Sequence, residues 1–153
     1  MDLSIDDVIH PGLITLDLRA TERWGVIDEM ARLLEADGRV SDREAFTAVV
    51  RKREEDGPTG MEMGIAIPHG KSPAVTRAGV AFGRSARGVD FGAEDAPSRL
   101  VFLIAAPDGS DDLHVTLLSR LARRLVDEGF RQQLLEVSTP DEAMDVIRSE
   151  VRL

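Results

Sequence analysis

The chain has 153 residues, no cysteine and a formal net charge of -9 at pH 7, because 28 acidic residues outnumber 19 basic ones. This length fits one domain, so we expect a single unit over residues 1–153. An acidic chain lacks the positive surface that nucleic acids and anionic membranes attract, and the lack of cysteine excludes disulfides, thiolate catalysis and cysteine metal sites.

The N-terminus, MDLSIDDVIHPG, has neither the basic nor the apolar region of a signal peptide. Apolar runs such as Leu100 to Ala106 are strand-sized and far shorter than the roughly 20 residues of a membrane helix. We therefore expect a cytoplasmic protein that does not insert into membranes and does not bind nucleic acid.

Helical and extended patterns alternate along the chain, which predicts an α/β layered fold. The residues from Gly12 to Leu18 alternate in polarity and are predicted to form an early strand. Thr21 is then predicted to cap a helix, and Gly38 stands where that helix should stop.

A second helix is predicted to follow at once. Ser41 and Glu44 have the spacing of a capping box, and Phe46 is the first of its inward-facing residues. We expect this helix to run towards Arg53.

Short apolar stretches predict the strands of the central sheet. Gly64 to Ile67 is a strand that Pro68, His69 and Gly70 are expected to end. Val80 to Phe82 and Val89 to Phe91 are two further extended pieces. Leu100 to Ala106 is apolar almost throughout, which is typical of a central strand covered on both faces.

Two more helices are predicted after the central strand. Asp111 and Asp112 precede a long helix with leucines on one side, from Leu113 to Leu125. The last helix has Thr139 at its N-cap and Pro140 in its first turn.

His69 carries the strongest sign of chemistry. It is one of three histidines, and it stands between Pro68, which fixes the backbone, and Gly70, which adds no side-chain bulk. A neutral imidazole has a free lone pair and can form a labile bond to phosphorus. The position predicts an acceptor for reversible phosphoryl transfer, with a hydrogen-bonded structural histidine as the alternative.

Three other residues are candidates to support a phosphoryl group. His114 lies in the first turn of a predicted helix, where free N–H groups attract anions and favour a neutral ring. Arg53 can donate a fork of hydrogen bonds, and Thr59 can donate a hydroxyl or a backbone N–H. Each of the three could instead have a purely structural role. Arg53, for example, stands beside Glu54 and Glu55, as on a solvated charged face.

Other chemistries find no support in the sequence. His10 precedes Pro11 in a predicted loop and receives no role. The sequence has no His-x-x-x-His spacing for a metal, no phosphate-binding Gly-rich loop and no Gly-x-Ser-x-Gly elbow. We expect neither a metal nor a cofactor.

Several separated motifs together resemble the fructose/mannitol-type (type 2) enzyme IIA domains of the bacterial phosphoenolpyruvate-dependent sugar phosphotransferase system. The first group comprises Arg53-Glu54, Thr59-Gly60-Met61 and Gly64-Ile65-Ala66-Ile67-Pro68-His69-Gly70. The second comprises Gly88-Val89-Asp90-Phe91, Leu100 to Pro107, and His114 with Leu117, Leu118 and Leu121. The resemblance covers nearly the whole chain in the right order. One departure is Glu62, which stands where the family often has a second glycine.

The resemblance implies a mixed β-sheet sandwiched between α-helices. It implies that His69 accepts a phosphoryl group from HPr, or from its nitrogen-branch counterpart, and passes it to a IIB cysteine during sugar uptake. His114 and Arg53 would support the phosphoryl group, whereas the Glu62 carboxylate would repel it unless it points away.

The alternative function is that of the nitrogen-type IIA paralogues, regulatory modules that bind kinases or transporters according to phosphorylation state. The motif around His69 is common to both groups and does not separate them. A third and weaker hypothesis is an enzyme that uses His69 as a general base.

Overall fold

The computed structural model describes residues 3–153 and contains one mixed sheet with helices packed against it. The helices are α1 Ile5–Val8, α2 Arg23–Ala36, α3 Arg43–Asp56, α4 Leu113–Leu125, α5 Glu128–Glu136 and α6 Pro140–Glu150, with a 3-10 turn at Pro11–Leu13. The strands are β1 Ile14–Thr15, β2 Gly60–Met61, β3 Ile65–Ala66, β4 His69–Ser72, β5 Gly79–Val89 and β6 Ser98–Pro107. Within the described residues, no helix combines the length and apolarity needed to span a membrane.

The sheet is organised around β6. The strand order is β1-β5-β6-β3-β2, and β4 also pairs with β6. β6 is antiparallel to β5 and parallel to β3 and β4. Its residues from Leu100 to Ala106 are all buried, as predicted for a central strand. The predicted mixed α/β architecture is confirmed.

Helices cover both faces of this sheet. Helices α2 and α3 lie on one face: a Cβ added at Gly70 would meet Val50 of α3, and one added at Gly83 would meet Met30 of α2. Neighbouring residues of a strand point to opposite faces, so His69 points away from α3. The cavity around His69 includes Leu118, which places α4 on that opposite side.

The start of the chain differs from the prediction. Pro11–Leu13 is a 3-10 turn and only Ile14–Thr15 is strand. The physical reason is local: the fixed φ of Pro11 suits a turn, and the His10 ring accepts a hydrogen bond from the N–H of Gly12.

Two helix starts lie one residue beyond the predicted caps. The N-cap of α2 is Glu22 rather than Thr21, and its carboxylate accepts hydrogen bonds from the N–H groups of Trp24 and Gly25. The N-cap of α3 is Asp42, which accepts from the N–H of Ala45 at 3.1 Å. Ser41, the predicted cap, instead donates its hydroxyl to the carbonyl of Ala74 at 3.1 Å.

The later elements follow the predictions more closely. Asp112 occupies the N-cap position of α4, although its side chain makes no capping hydrogen bond. Thr139 caps α6 as predicted, accepting from the N–H of Glu142 at 3.1 Å. Val80 to Phe82 lies within β5, but of the predicted piece Val89 to Phe91 only Val89 is strand, as the last residue of β5. The register of β5 on β6 shifts between Arg84 and Val89.

The most consequential difference lies at His69. The strand was predicted to end at Pro68, but it resumes as β4, and β3 and β4 share one register on β6: Ile65 lies opposite Leu100 and His69 opposite Ile104. Pro68 lacks an N–H, yet its carbonyl accepts a hydrogen bond from the N–H of Ile104 at 3.0 Å. His69 is therefore the first residue of β4, directly after a short break, and does not end the strand.

Candidate functional site

His69 lies in a cavity of about 200 Å³ formed where the β3–β4 break meets the end of α3 and one side of α4. Its walls consist of Arg53, Pro58, Thr59, Gly60, Met61, Ile67, His69 and Leu118. The structure thus brings three of the four predicted site residues, Arg53, Thr59 and His69, into one cavity.

The ring of His69 is held in a defined orientation. The residue is only 8% exposed, and its Nδ1 lies 3.0 Å from the carbonyl oxygen of Ile67. A carbonyl only accepts hydrogen bonds, so Nδ1 carries the proton and Nε2 of the neutral ring keeps its lone pair. The carbonyl oxygen of Ile67 can accept this hydrogen bond because the strand is interrupted at Ile67 and Pro68.

The surroundings keep this ring neutral. Burial is the largest influence and lowers the pKa of His69 below its ordinary value of 6.5, and the electrostatic influences of Arg53 and His114 act in the same direction. The hydrogen bond to Ile67 and the negative charge of Glu54 oppose the shift without reversing it. A neutral ring with a free lone pair is the form that can act as a nucleophile.

His114, the fourth predicted residue, lies beside this cavity. Its ring centroid is 6.1 Å from that of His69, with the ring planes tilted by 32°. Its Nδ1 is buried and has no hydrogen-bond partner among residues 3–153. The residue lies in the first turn of α4, where Asp112 leaves the free N–H groups without a side-chain cap. An imidazole nitrogen without a partner is therefore available near His69.

Arg53 and Thr59 have partners in this arrangement. Arg53 is exposed, and its Nη1 donates to the carbonyl of Gly57 at 2.8 Å, which leaves other guanidinium hydrogens for an anion. Thr59 is buried and gives both of its donors to Glu54: the N–H at 3.3 Å from Oε2 and the hydroxyl to Oε1. A phosphoryl contact from Thr59 would require one of these bonds to be exchanged.

Glu54 is a site residue that the sequence reasoning missed. Its side chain is fully buried, and Arg23 approaches it at 3.8 Å. In the sequence it belongs to a run of charges and resembles a solvated position. The signal was its spacing, because Phe46, Val50 and Glu54 are four residues apart and share the buried face of α3.

Glu62 lies outside the cavity. It is exposed in the turn between β2 and β3, and it is not one of the residues that line the space around His69. The left-handed positions of this turn are Met63, with φ 72°, and Gly64, with φ 75°. Glu62 has an ordinary φ, so the turn does not need a glycine there.

Two glycines shape the site by allowing close packing. A Cβ at Gly60 would lie 2.5 Å from the carbonyl oxygen of Phe91, which fixes the cavity wall against the segment after β5. A Cβ at Gly70 would lie 2.9 Å from Val50. The lack of a side chain at Gly70 therefore makes room for α3 on the face opposite His69.

This arrangement suits a histidine that accepts an anionic group from one partner and passes it to another. It offers a neutral imidazole nucleophile, a guanidinium at the rim and a second imidazole nearby. Within residues 3–153 no group of three His, Cys, Asp or Glu side chains is placed to hold a metal ion.

The sequence matches a known family over most of its length. Residues 7–150 match the family described as "Phosphoenolpyruvate-dependent sugar phosphotransferase system, EIIA 2". The chain is 38% identical to the "PTS system fructose-specific EIIA component" of Haloferax volcanii, over 99% of each protein. It is 40% identical to the "PTS system fructose-specific EIIABC component" of Bacillus subtilis, covering 95% of this chain but only 23% of that relative.

Two solved structures of IIA proteins superpose closely on this chain. The nitrogen regulatory protein IIA-Ntr of Neisseria meningitidis superposes with a TM-score of 0.81 at 29% identity, over 94% of this chain and 98% of that one. The IIA chain in the complex of enzyme IIAMTL and phosphorylated enzyme IIBMTL from Escherichia coli gives a TM-score of 0.80 at 28% identity, over 92% and 97% of the two chains.

Proposed function

The chain belongs to the EIIA 2 family of the phosphoenolpyruvate-dependent sugar phosphotransferase system, whose members are phosphotransferase components, and we propose that His69 is its phosphoryl acceptor. The observation that carries this proposal is the hydrogen bond from Nδ1 of His69 to the Ile67 carbonyl. It fixes the tautomer and leaves Nε2 as the nucleophilic atom.

The first half of the reaction takes the phosphoryl group from a donor. The Nε2 lone pair of His69 attacks the phosphorus of a phosphohistidine on HPr or its nitrogen-branch counterpart. The donor's bond between nitrogen and phosphorus breaks as the new one forms, and its imidazole recovers the electron pair. Arg53 and His114 stabilise the negative charge spread over the phosphoryl oxygens. Thr59 joins them when it exchanges a hydrogen bond with Glu54 for one with the phosphoryl group.

The second half delivers the group to a IIB domain. A IIB cysteine thiolate attacks the phosphorus, the bond to Nε2 breaks, and His69 returns to its neutral form. A IIB protein as the recipient is supported by the Escherichia coli complex, which pairs a relative 28% identical to this chain with its phosphorylated IIB partner. We place this reaction in the cytoplasm, with residues 1–153 acting as one domain, and propose fructose-type sugars from the names of the two fructose-specific relatives.

A regulatory role is the second candidate. The chain is 34% identical to the nitrogen regulatory protein of Bradyrhizobium diazoefficiens over 86% of each protein. In that role phosphorylation of His69 would change the affinity for a kinase or transporter. Transfer of the phosphoryl group onto a IIB cysteine would support the transport function, and binding that depends on phosphorylation, without such transfer, would support the regulatory one.

The proposal is tested by following phosphoryl acceptance by intact mass, with phosphoenolpyruvate, enzyme I and an HPr-type carrier. We expect one acid-labile phosphoryl group on the wild-type protein and none on His69→Ala. His10→Ala is the matched control, because His10 is bonded to Asp37 and Gly12 outside the cavity. An adduct that survives in His69→Ala would overturn the assignment.

A further inference from the structure

A second cavity, of about 370 Å³, lies between the C-terminal half of α4 and the end of α6. Its lining is dominated by arginine and consists of Arg120, Arg123, Arg124, Ser149, Glu150 and Arg152. At 1.5 Å per residue, Arg123 is about 14 Å along the helix axis from His114, so this cavity is separate from that of His69.

The positive charge in this cavity is largely unneutralised. Arg124 pairs with Glu150 at 2.5 Å. Within residues 3–153, the side chains of Arg120, Arg123 and Arg152 have neither an ion pair nor a hydrogen bond. Three uncompensated guanidinium groups therefore share one cavity in a chain whose net charge is -9.

Helix capping does not account for this cluster. Cations near a helix C-terminus are normally favourable, because they meet its free carbonyl groups. At the end of α4, however, Arg131 already donates to the carbonyls of Leu125 and Val126, each at 2.8 Å. Arg120 and Arg124 lie four residues apart on the same helix face, where like charges repel, and Glu150 offsets only the charge of Arg124. An anion in the cavity would remove that repulsion.

We propose that this arginine cluster binds the phosphoryl group of a small phosphorylated metabolite. Guanidinium groups match the oxygens of a phosphate in pairs of hydrogen bonds, and a phosphate monoester carries close to two negative charges at neutral pH. A volume of about 370 Å³ is within the range of small-molecule sites and fits a phosphorylated monosaccharide. The choice of a sugar phosphate rests on the proposed function, because this is the class of product that a sugar phosphotransferase system forms.

The test is a titration of the unphosphorylated protein at low ionic strength, by calorimetry and by NMR of the arginine side chains. The probes are inorganic phosphate, glucose 6-phosphate and, as the uncharged control, glucose. We expect saturable binding of glucose 6-phosphate that shifts Arg123 and Arg152 and leaves the His69 ring unchanged. Tighter binding of the ester than of phosphate identifies a sugar phosphate as the ligand, and equal affinity identifies free phosphate. Both results support the site, whereas equal binding of glucose would exclude it.

Variants locate the binding. Arg123→Gln and Arg152→Gln are each expected to raise the dissociation constant about tenfold or more, because each removes charged hydrogen bonds. Arg87→Gln is the matched control: Arg87 is exposed on β5 and does not line this cavity. The proposal is overturned if no probe saturates, if Arg87→Gln weakens binding as much as Arg123→Gln, or if the shifts centre on His69. None of these outcomes depends on the phosphoryl relay, so they leave the assignment of His69 to its own test.

Discussion

The rings of His69 and His114 lie 6.1 Å apart, on a strand and on a helix that only the folded chain brings together. The Nδ1 of His69 is committed to the Ile67 carbonyl, whereas the Nδ1 of His114 is buried without a partner in the described chain. The two histidines are therefore not equivalent. His69 is oriented as a nucleophile, and His114 has a buried nitrogen without a partner beside it.

Replacing His114 by alanine should slow phosphoryl transfer and keep the acceptor. The loss of one hydrogen bond to a charged group costs about 1.5–3 kcal/mol, which corresponds to a rate about tenfold lower or more. Rapid-quench measurement of acceptance checks this. His114→Gln restores a donor and should recover part of the rate, while the final amount of phosphoprotein stays the same with His114→Ala. An unchanged rate would remove His114 from the mechanism.

The rate of acceptance should persist as the pH falls below 6.5. Burial first, and then the charges of Arg53 and His114, lower the pKa of His69 from this value. The neutral, nucleophilic ring is therefore retained to lower pH than in a free histidine, and activity falls only when the pH passes through the lowered pKa. NMR titration of the His69 ring in the free protein measures this pKa without any influence of the phosphoryl donor. A midpoint above 6.5 would contradict the account.

Arg53 should matter more than its neighbours on α3. Arg53→Ala removes a guanidinium from the cavity rim and is expected to slow acceptance about tenfold or more, with partial recovery in Arg53→Lys. Lys52→Ala is the control, since Lys52 is exposed and does not line the cavity. If the two alanine variants lose the same rate, the effect is one of overall charge and not of the site.

Gly60→Ala should damage the cavity wall and lower stability. The new methyl group would lie 2.5 Å from the carbonyl oxygen of Phe91, a contact that only a backbone shift relieves, and overpacking of this kind costs about 1–3 kcal/mol. Gly57→Ala is the matched control, because its nearest neighbour would be Arg53 Nη1 at 3.9 Å and its φ of 166° suits any residue. Urea denaturation of both variants compares their free energies of unfolding. Equal free energies of unfolding for the two variants would contradict this, because the backbone around Gly60 would then accommodate the methyl group without cost.

The sequence predicts those parts of the fold that depend on local chemistry. The apolar run of β6 needs cover on both faces, and Thr139 with Pro140 starts α6 because the cap satisfies a free N–H of the first turn. The short helix α5 was not predicted separately, although Asp127 at its N-cap and Phe130 and Leu134 on its buried side are local signals.

Other features depend on contacts between distant residues. Ser41 has the local spacing of a cap, but the carbonyl of Ala74 takes its hydroxyl. Pro68 signals a strand end, but β6 offers a partner on both sides of it and the pairing continues to His69. No local pattern contains these partners.

The most direct test of the central claim is to locate the phosphoryl group on the phosphorylated protein by NMR with ¹⁵N-labelled histidine rings. We expect that only His69 changes covalently, with phosphorus bonded to Nε2 and the Nδ1 proton still directed at the Ile67 carbonyl. A phosphoryl group on Nδ1 of His69, on His114 or on His10 would contradict it.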